Sequence, residues 1–302
     1  MTDDAKAWGD FWAHNTAQSG SMQATGCLPQ RWAAIEDAQR AAWRGFAQDL
    51  PEGARVLDLA TGNGIVLGWM KDARSDLSLT GIDLAPTLPA PPEGVETRGS
   101  VAMEDLPFED GSFEAVVSQF GFEYGHTAKV AAEIARVLSQ GGAVGLMVHR
   151  GDGPILEHNR QRRAEIEWAL DEKKVVEAVT RALKTPGAGP PVGAQVASVL
   201  ARLGAAQFGE SSPAWEIPEA IRRACLIGQR QGIEAALETV AQIRVQADNE
   251  IGRIQSLSRA CSRADDRTSL ANAFEACGLA VRSTEPVAEP SGRALADFLT
   301  IR

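Results

Sequence analysis

The chain has 302 residues, of which 44% are hydrophobic and 23% are charged, as is usual for a globular protein. Its 30 Lys and Arg residues against 40 Asp and Glu residues give a net charge of −10. That balance argues against nucleic acid and anionic membranes as partners, since both are bound through a basic surface. At about 150 residues per domain, the length predicts one large or two small domains.

The chain shows no sequence signal for export or membrane insertion. Its first residues are acidic and include no apolar segment of a secretory signal. The longest nearly apolar run, residues 141–148, is far shorter than the roughly 18 residues that a spanning helix needs. We therefore expect a cytoplasmic protein. No metal site is expected, because the cysteines are dispersed and lack a metal-binding spacing: Cys27, Cys225, Cys261 and Cys277.

Residues 1–50 are predicted to form an N-terminal helical cap. Between 31 and 50, apolar residues recur at spacings of three and four, which is the pattern of one helix face. Upstream lies an aromatic cluster of Trp8, Phe11 and Trp12. Two interpretations of this cluster stay open: it covers a ligand cleft as a lid, or it docks the N-terminal helix on the rest of the fold.

Residues 51–150 alternate between short apolar runs and helical segments, which predicts a parallel sheet covered on both faces. The strand candidates are 55–59, 79–83, 95–98, 113–118 and 143–149. After residue 265 the same pattern returns, with a helix ending near Gly278 and strand candidates at 279–284 and 294–301. We therefore assign 51–150 and 265–302 to one α/β core domain.

Residues 151–264 contain no strand pattern and are predicted to form a large helical insertion before the last two strands. Breaks are expected at 185–191 and at 211–213, where Pro and Gly or Ser cluster. A long amphipathic stretch covers 233–257. Its apolar face has two open uses, packing within this chain or forming the seam of a homodimer. The insertion is also our candidate for a substrate lid.

The most informative segment is residues 55–64, Arg-Val-Leu-Asp-Leu-Ala-Thr-Gly-Asn-Gly. Its pattern predicts a buried strand, then a tight loop of small residues, and then a helix from about Ile65. Small side chains let a ligand approach the loop backbone closely, and the helix start offers N–H groups that suit a carboxylate or phosphate. The carboxylate of Asp58 can pair with a cationic group of a ligand. Asp83, at the end of the next strand, can accept hydrogen bonds from both hydroxyls of a ribose.

A dinucleotide-binding domain uses the same physics, so a nicotinamide-dependent oxidoreductase is one alternative. Its G-x-G-x-x-G pattern requires glycines at 60, 62 and 65 when it is aligned with this loop. The chain has Ala60, Gly62 and Ile65 there. The missing glycines disfavour this alternative.

Three further segments follow in order: 104–117 with Leu-Pro-Phe-Glu-Asp-Gly-Ser-Phe, 118–122 with Ser-Gln-Phe-Gly-Phe, and 133–142 with Glu-Ile-Ala-Arg-Val-Leu-Ser-Gln-Gly-Gly. Together with 55–64 they resemble the motifs of class I S-adenosylmethionine (SAM)-dependent methyltransferases, in the small-molecule, type 11-like branch. The resemblance implies a doubly wound, mostly parallel, seven-stranded Rossmann-like sheet with one antiparallel strand near its edge. It also implies SAM as cofactor and a small-molecule acceptor.

The resemblance further assigns the residues that bind SAM. Those expected at its methionine part are Asp58, Ala60, Thr61, Gly62 and Gly64. Asp83 would bind the ribose, with Leu84 beside the adenine. The remaining expected contacts are Met103 and Glu104 at the adenine edge, and Gln119 and Phe120 near the sulfonium and its methyl group.

Two positions depart from the family pattern. Ala60 replaces the usual first glycine, which is acceptable if this position has no positive φ. Ala102 occupies the place where the family often has an Asp that binds the adenine amino group. Either Glu104 or Asp105 substitutes for it, or backbone and apolar contacts hold the adenine. With the large insertion, this loss keeps open a non-catalytic SAM- or nucleoside-binding or regulatory protein on the same fold.

Methyl transfer from a sulfonium needs a general base only if the acceptor must lose a proton. Histidine is the natural base near neutral pH, and ligands bind at the carboxyl edge of such sheets. The catalytic candidates at that edge are Tyr124, His126 and His149, with Glu123 and Arg150 beside them and His158 at the start of the insertion. The sparse basic residues favour an apolar or quinone-like acceptor.

Overall fold

The computed structural model describes residues 33–302, which form two compact units. The first comprises the described residues up to Leu156 together with 256–302, and the second is Glu157–Gln255. The second unit lies within the range predicted as a helical insertion. Trp8, Phe11 and Trp12 lie outside the described residues.

The first unit is built on a sheet that has seven strands within the described residues. In chain order the strands are β1 Arg55–Leu59, β2 Ser78–Ile82, β3 Glu96–Arg98, β4 Phe113–Gln119, β5 Leu138–His149, β6 Val281–Ala288 and β7 Ala294–Ile301. Their spatial order is β3-β2-β1-β4-β5-β7-β6. β7 is antiparallel to β5 and β6, and the remaining pairs are parallel. This topology confirms the predicted sheet and its one antiparallel strand near the edge.

Helices cover both faces of this sheet. They are α1 Ala33–Gln48, α2 Ile65–Ala73, α3 Thr127–Val137 and α9 Arg267–Glu275. β1 shows why both faces must be covered, because Val56 is buried in one apolar cluster and Leu57 in another. α1 and α2 contribute to the cluster of Val56, and α3 and α9 contribute to that of Leu57. The arrangement is doubly wound, as predicted.

The strand boundaries agree with the sequence patterns to within one residue, except that β5 begins at Leu138 instead of at 143 and that the edge strand β6 differs. β1 and β7 match their predicted ranges, whereas β6 continues to Ala288 and includes Glu285 and Pro286. Within residues 33–302, β6 pairs only with β7 at the edge of the sheet, and its residues are largely exposed. An edge strand tolerates proline and has no buried face to produce an apolar pattern. The sequence pattern therefore could not predict its full length.

The second unit is helical throughout. It contains most of α4 Pro154–Glu167, a π-helical turn Trp168–Glu172, then α5 Val175–Lys184, α6 Gly189–Phe208, α7 Pro213–Gln231 and most of α8 Ile233–Asp265. Both predicted helix breaks are confirmed. On α8, Leu237, Val240 and Ile243 pack with the apolar cluster of this unit, so that face is used within the chain. From residue 33 onward, no helix has an apolar stretch long enough to cross a membrane.

Candidate functional site

The carboxyl ends of the parallel strands bring the predicted site residues to one edge of the sheet. β1 is flanked by β2 on one side and by β4 on the other, and β4 is followed by β5. The segments that leave these strands therefore lie side by side. In open α/β sheets this edge is the place where ligands bind.

Asp58 is a buried acid near the end of β1. Its Oδ2 accepts a hydrogen bond from Thr61 Oγ1 at 2.7 Å, while its Oδ1 is buried without a partner among the described residues. Burial raises the pKa of Asp58 to about 7, with a further upward contribution from the charge of Asp83, and the Thr61 hydrogen bond opposes the shift. A cation beside Oδ1 would remove the cost of burying this carboxylate.

Asp83 follows β2 directly and ties two loops together. Its Oδ2 accepts a hydrogen bond from Gly62 N at 3.0 Å, and its Oδ1 accepts one from Ala85 N at 2.9 Å. Burial raises the pKa of Asp83, and these backbone N–H groups counteract the shift. Each oxygen keeps a second lone pair for a ligand hydroxyl. The neighbouring Leu84 is 49% exposed, an available apolar surface at the site.

Two residues at this edge that are not glycine have left-handed backbone conformations. Ala60 has φ 56° and Phe120 has φ 55°. The expectation that position 60 needs no positive φ is therefore wrong, because the chain turns back sharply after β1. Such residues cost on the order of 1–3 kcal/mol each and persist where the surroundings fix them. Phe120 is fixed by its N–H, which donates to the carbonyl of Met147 at 2.8 Å.

The segments after β1 and β4 are locked against each other. Ser118 Oγ donates to the carbonyl of Leu59 at 2.9 Å and accepts from Phe122 N at 3.0 Å. A Cβ added to Gly121 would lie only 2.5 Å from Cβ of Ala60. Both strained residues are thus held by one packed junction, and neither Ser118 nor Gly121 was singled out by sequence reasoning.

Gln119 is oriented by the N-terminal helix. Trp43 Nε1 donates to Gln119 Oε1 at 2.7 Å, and Gln119 Nε2 lies 3.5 Å from Gln39 Oε1. Because an indole N–H can only donate, this contact fixes the amide orientation, with Oε1 toward Trp43 and Nε2 toward Gln39. The sequence feature that could have indicated this contact is Gln39, a polar residue four positions before Trp43 on an otherwise apolar helix face.

A buried acid–imidazole pair lies between the segments that follow β4 and end β5. Glu123 Oε1 accepts from the backbone N–H of His149 at 2.9 Å and lies 2.7 Å from His149 Nδ1. The ring of Phe120 lies 4.2 Å from the His149 ring, centroid to centroid, and that of Tyr124 lies 6.0 Å away. The structure thus brings together three residues predicted separately and one, Glu123, whose pairing the sequence did not reveal.

The other predicted residues lie at the margin of this group. Glu104 Oε1 accepts from the backbone N–H of His126 at 2.9 Å, and the side chain of His126 is exposed. The side chains of Met103 and Glu104 lie against Gly125, where an added Cβ would be 3.0 Å from each. Ala102 is half-buried.

The two remaining base candidates are Arg150 and His158. Arg150 forms ion pairs with Asp152 and Asp297. His158 belongs to the second unit. Across residues 33–302, no cluster of three His, Cys, Asp or Glu side chains that could hold a metal ion is found.

Asp58→Asn is expected to stabilise the ligand-free protein at alkaline pH. Because the pKa of Asp58 is about 7 in the fold against 3.8 ordinarily, the folded state binds more protons between these values. Stability then falls as pH rises through this window, and the loss persists above it. We expect a gain of up to about 4 kcal/mol at pH 8 and little at pH 4. Denaturant unfolding at both pH values measures it, and an equal gain at both would contradict it.

Comparison with known proteins finds similarity to methyltransferases. Residues 57–146 match the family model of a methyltransferase domain. Over 111 residues the chain is 39% identical to a demethylmenaquinone methyltransferase of Thermus thermophilus, covering 33% of this chain and 50% of that protein. It is 33% identical over 116 residues to a ubiquinone/menaquinone biosynthesis C-methyltransferase of Geobacter sp., covering 34% and 49%. The chain thus spans about half the length of these curated relatives.

The chain is also similar to a solved structure, at low identity. It is the 1,6-didemethyltoxoflavin-N1-methyltransferase of Burkholderia thailandensis, determined with 1,6-didemethyltoxoflavin and S-adenosylhomocysteine bound. Its similarity has a TM-score of 0.45 and 12% identity, and it covers 99% of this chain and 88% of that chain.

Proposed function

We propose that this chain, whose residues 57–146 match the model of a methyltransferase domain, is a class I SAM-dependent methyltransferase that transfers the methyl group of SAM to a small-molecule acceptor. The single observation that carries the proposal is the pair of buried acids, Asp58 and Asp83, on either side of the small-residue loop. Burying two carboxylates next to each other is costly, and a bound cation with hydroxyl groups would offset that cost.

The residues at this edge fit SAM as a ligand. Its ammonium group carries a positive charge that would pair with Oδ1 of Asp58, which has no hydrogen-bond partner among the described residues. Its ribose offers two hydroxyls to the remaining lone pairs of Asp83. The exposed Leu84 would cover one face of the adenine. Met103 and Glu104 are proposed at the adenine edge, where Ala102 supplies no polar group.

When bound, SAM supplies a methyl group already activated by its sulfonium, so the protein contributes geometry and exclusion of water. We assign Gln119 and Phe120 to the methyl end of the site. The rigid junction of Ser118, Gly121 and Ala60 holds the backbone there in one conformation. His149 is proposed as the base for an acceptor that must lose a proton, and Tyr124 and His126 are the weaker candidates.

The acceptor is proposed to be a flat, apolar, hydroxylated ring compound. The curated relatives act on demethylmenaquinone and on ubiquinone or menaquinone precursors by name. The aromatic side chains of Phe120 and Tyr124 beside His149 suit such a ring. A net charge of −10 makes nucleic acid a poor acceptor.

Calorimetric titration of the full chain with SAM tests the proposal, followed by methyl transfer from tritiated SAM to 1,4-dihydroxynaphthalene. We expect a dissociation constant near 1 μM, about −8 kcal/mol, and labelled product. NAD and NADH serve as controls that should not bind. Folded protein that binds neither SAM nor S-adenosylhomocysteine would overturn the proposal. Binding of SAM without transfer to any acceptor would favour a regulatory SAM-binding protein.

A further inference from the structure

We infer that Glu123 and His149 form a general-base pair, and that the acceptor is therefore a weak oxygen acid such as a phenol or naphthol. In this pair His149 takes the proton, while Glu123 is a positioning residue that orients the imidazole and balances its charge. The inference rests on the proposed function and deepens it, because it states the chemical class of the acceptor and the residue that prepares it.

The geometry of the pair fixes the tautomer of His149. Glu123 Oε1 lies 2.7 Å from Nδ1, and a carboxylate can only accept, so the proton of the neutral ring lies on Nδ1. The same oxygen accepts from the His149 backbone N–H, which holds the imidazole in place at two points. Nε2 takes part in none of the hydrogen bonds of His149 among the described residues and is the nitrogen left to accept a proton.

The burial of Glu123 makes a positive charge beside its carboxylate favourable. Its side chain is 1% exposed, and its Oε2 has no hydrogen-bond partner among the described residues. An uncompensated buried carboxylate is costly, and a cation beside it reduces that cost. When His149 takes a proton, the pair becomes an ion pair. Glu123 is therefore placed to balance the charge of the imidazolium that deprotonation of an acceptor creates.

Other charged groups near the pair are directed elsewhere. Arg263 on α8 donates to the carbonyl oxygens of Glu123 and Tyr124, not to the carboxylate of Glu123. Arg150 follows His149 and is engaged by Asp152 and Asp297. The imidazole of His149 is therefore the cationic partner available to Glu123 in the described structure.

The pair lies next to the residues assigned to the methyl end of the site. The ring of Phe120 stacks on that of His149 at 4.2 Å. The next residue, Gly121, packs against Ala60 in the loop after β1. This short chain of contacts joins the loop proposed to bind the methionine part to the proposed base.

The proposed step balances in atoms and charge. An electron pair of the deprotonated acceptor, from its oxygen or from the ring π electrons at an adjacent carbon, forms a bond to the methyl carbon. After attack at carbon, the hydrogen on that carbon moves as a proton to the oxygen, which restores the aromatic ring. The carbon–sulfur bond breaks, and its electron pair stays on sulfur as a neutral thioether. The acceptor proton moves to Nε2 of His149 and is later released to water. Acceptors that need no deprotonation, such as thioethers, would not require the pair.

The test compares Glu123→Gln and His149→Asn with wild type and with Glu114→Gln. Glu114 pairs with Arg55 at the opposite end of β4 and serves as the matched control. Tritiated methyl transfer is followed from pH 5 to 9 with phenol, 1-naphthol and 1,4-dihydroxynaphthalene. Histidine ¹⁵N spectra report the His149 tautomer with S-adenosylhomocysteine bound, and His149→Asn assigns the signal among the four histidines.

We expect His149→Asn to lower kcat by about 100-fold or more and Glu123→Gln by about tenfold or more, with KM and SAM affinity within twofold. In Glu123→Gln the single Nδ1-protonated form of the His149 ring should be lost, because a side-chain amide can donate to Nδ1 as well as accept from it. The wild-type spectrum should show a protonated Nδ1 and a bare Nε2. Glu114→Gln should match wild type throughout.

Each other outcome overturns a defined part of the inference. Unchanged kcat and an unchanged His149 tautomer in Glu123→Gln would make the pair merely structural, as would a proton on Nε2 in the wild-type spectrum. SAM binding without transfer to any of the three acids would overturn the acceptor class. Failure of the wild type to bind SAM would instead overturn the proposed function, so the two failures are distinguishable.

Discussion

Asp83→Ala is expected to weaken SAM binding by about 100-fold or more. The substitution removes both acceptors proposed for the ribose hydroxyls, and each hydrogen bond to a charged group contributes about 1.5–3 kcal/mol. It also leaves the N–H groups of Gly62 and Ala85 without the carboxylate that holds the two loops together. Calorimetric titration with SAM measures the loss.

Two comparisons separate ligand binding from loop support. Asp83→Asn keeps the shape and one acceptor oxygen, so we expect a smaller loss of about tenfold. Asp76→Ala is the matched control, since Asp76 also accepts a backbone N–H, that of Gly53, but belongs to the loop between α2 and β2. SAM affinity should be unchanged in this control. Wild-type affinity in Asp83→Ala would remove Asp83 from the binding site.

The sheet and its two buried acids could be predicted because they depend on local patterns. Apolar runs define strands such as β1, and an acid just after the next strand stands out as Asp83. The parallel arrangement then brings Asp58 and Asp83 to one edge without knowledge of any side-chain direction. Composition alone predicted that the middle of the chain is helical.

The pairing of Glu123 with His149 could not be predicted in the same way. The two residues lie 26 positions apart in the chain, and their contact depends on the 3₁₀ turn Phe122–Tyr124. That turn points the Glu123 carboxylate into the protein instead of toward solvent, where a charged residue would ordinarily lie. No periodic pattern in the sequence indicates the direction in which such a side chain points. The positive φ of Ala60 was missed for a similar reason, because alanine carries no sequence signal for the left-handed region.

Gly121→Ala is expected to destabilise the first unit by about 3 kcal/mol or more, as overpacking of a rigid site does. Gly121 has a negative φ of −129°, so no left-handed strain adds to the effect of the contacts. The new Cβ would lie 2.5 Å from Ala60 Cβ, 2.9 Å from Ser118 Oγ and 3.1 Å from the carbonyl oxygen of Leu59. These are short side-chain or backbone atoms that cannot swing away. SAM affinity should fall with stability, because the loop after β1 must shift.

The double variant Ala60→Gly with Gly121→Ala separates this clash from a general loss of packing. Removing the Ala60 methyl group abolishes the shortest contact and also relieves the strain of a left-handed alanine, so at least half of the lost stability should return. Gly45→Ala on α1 is the control, since its Cβ would meet nothing within 4 Å and should stabilise the helix by about 1 kcal/mol. Denaturant titrations of wild type, of the single variants Ala60→Gly and Gly121→Ala, and of the double variant give the coupling energy. Additive effects of the two substitutions would show that the junction between Ala60 and Gly121 does not hold the loop.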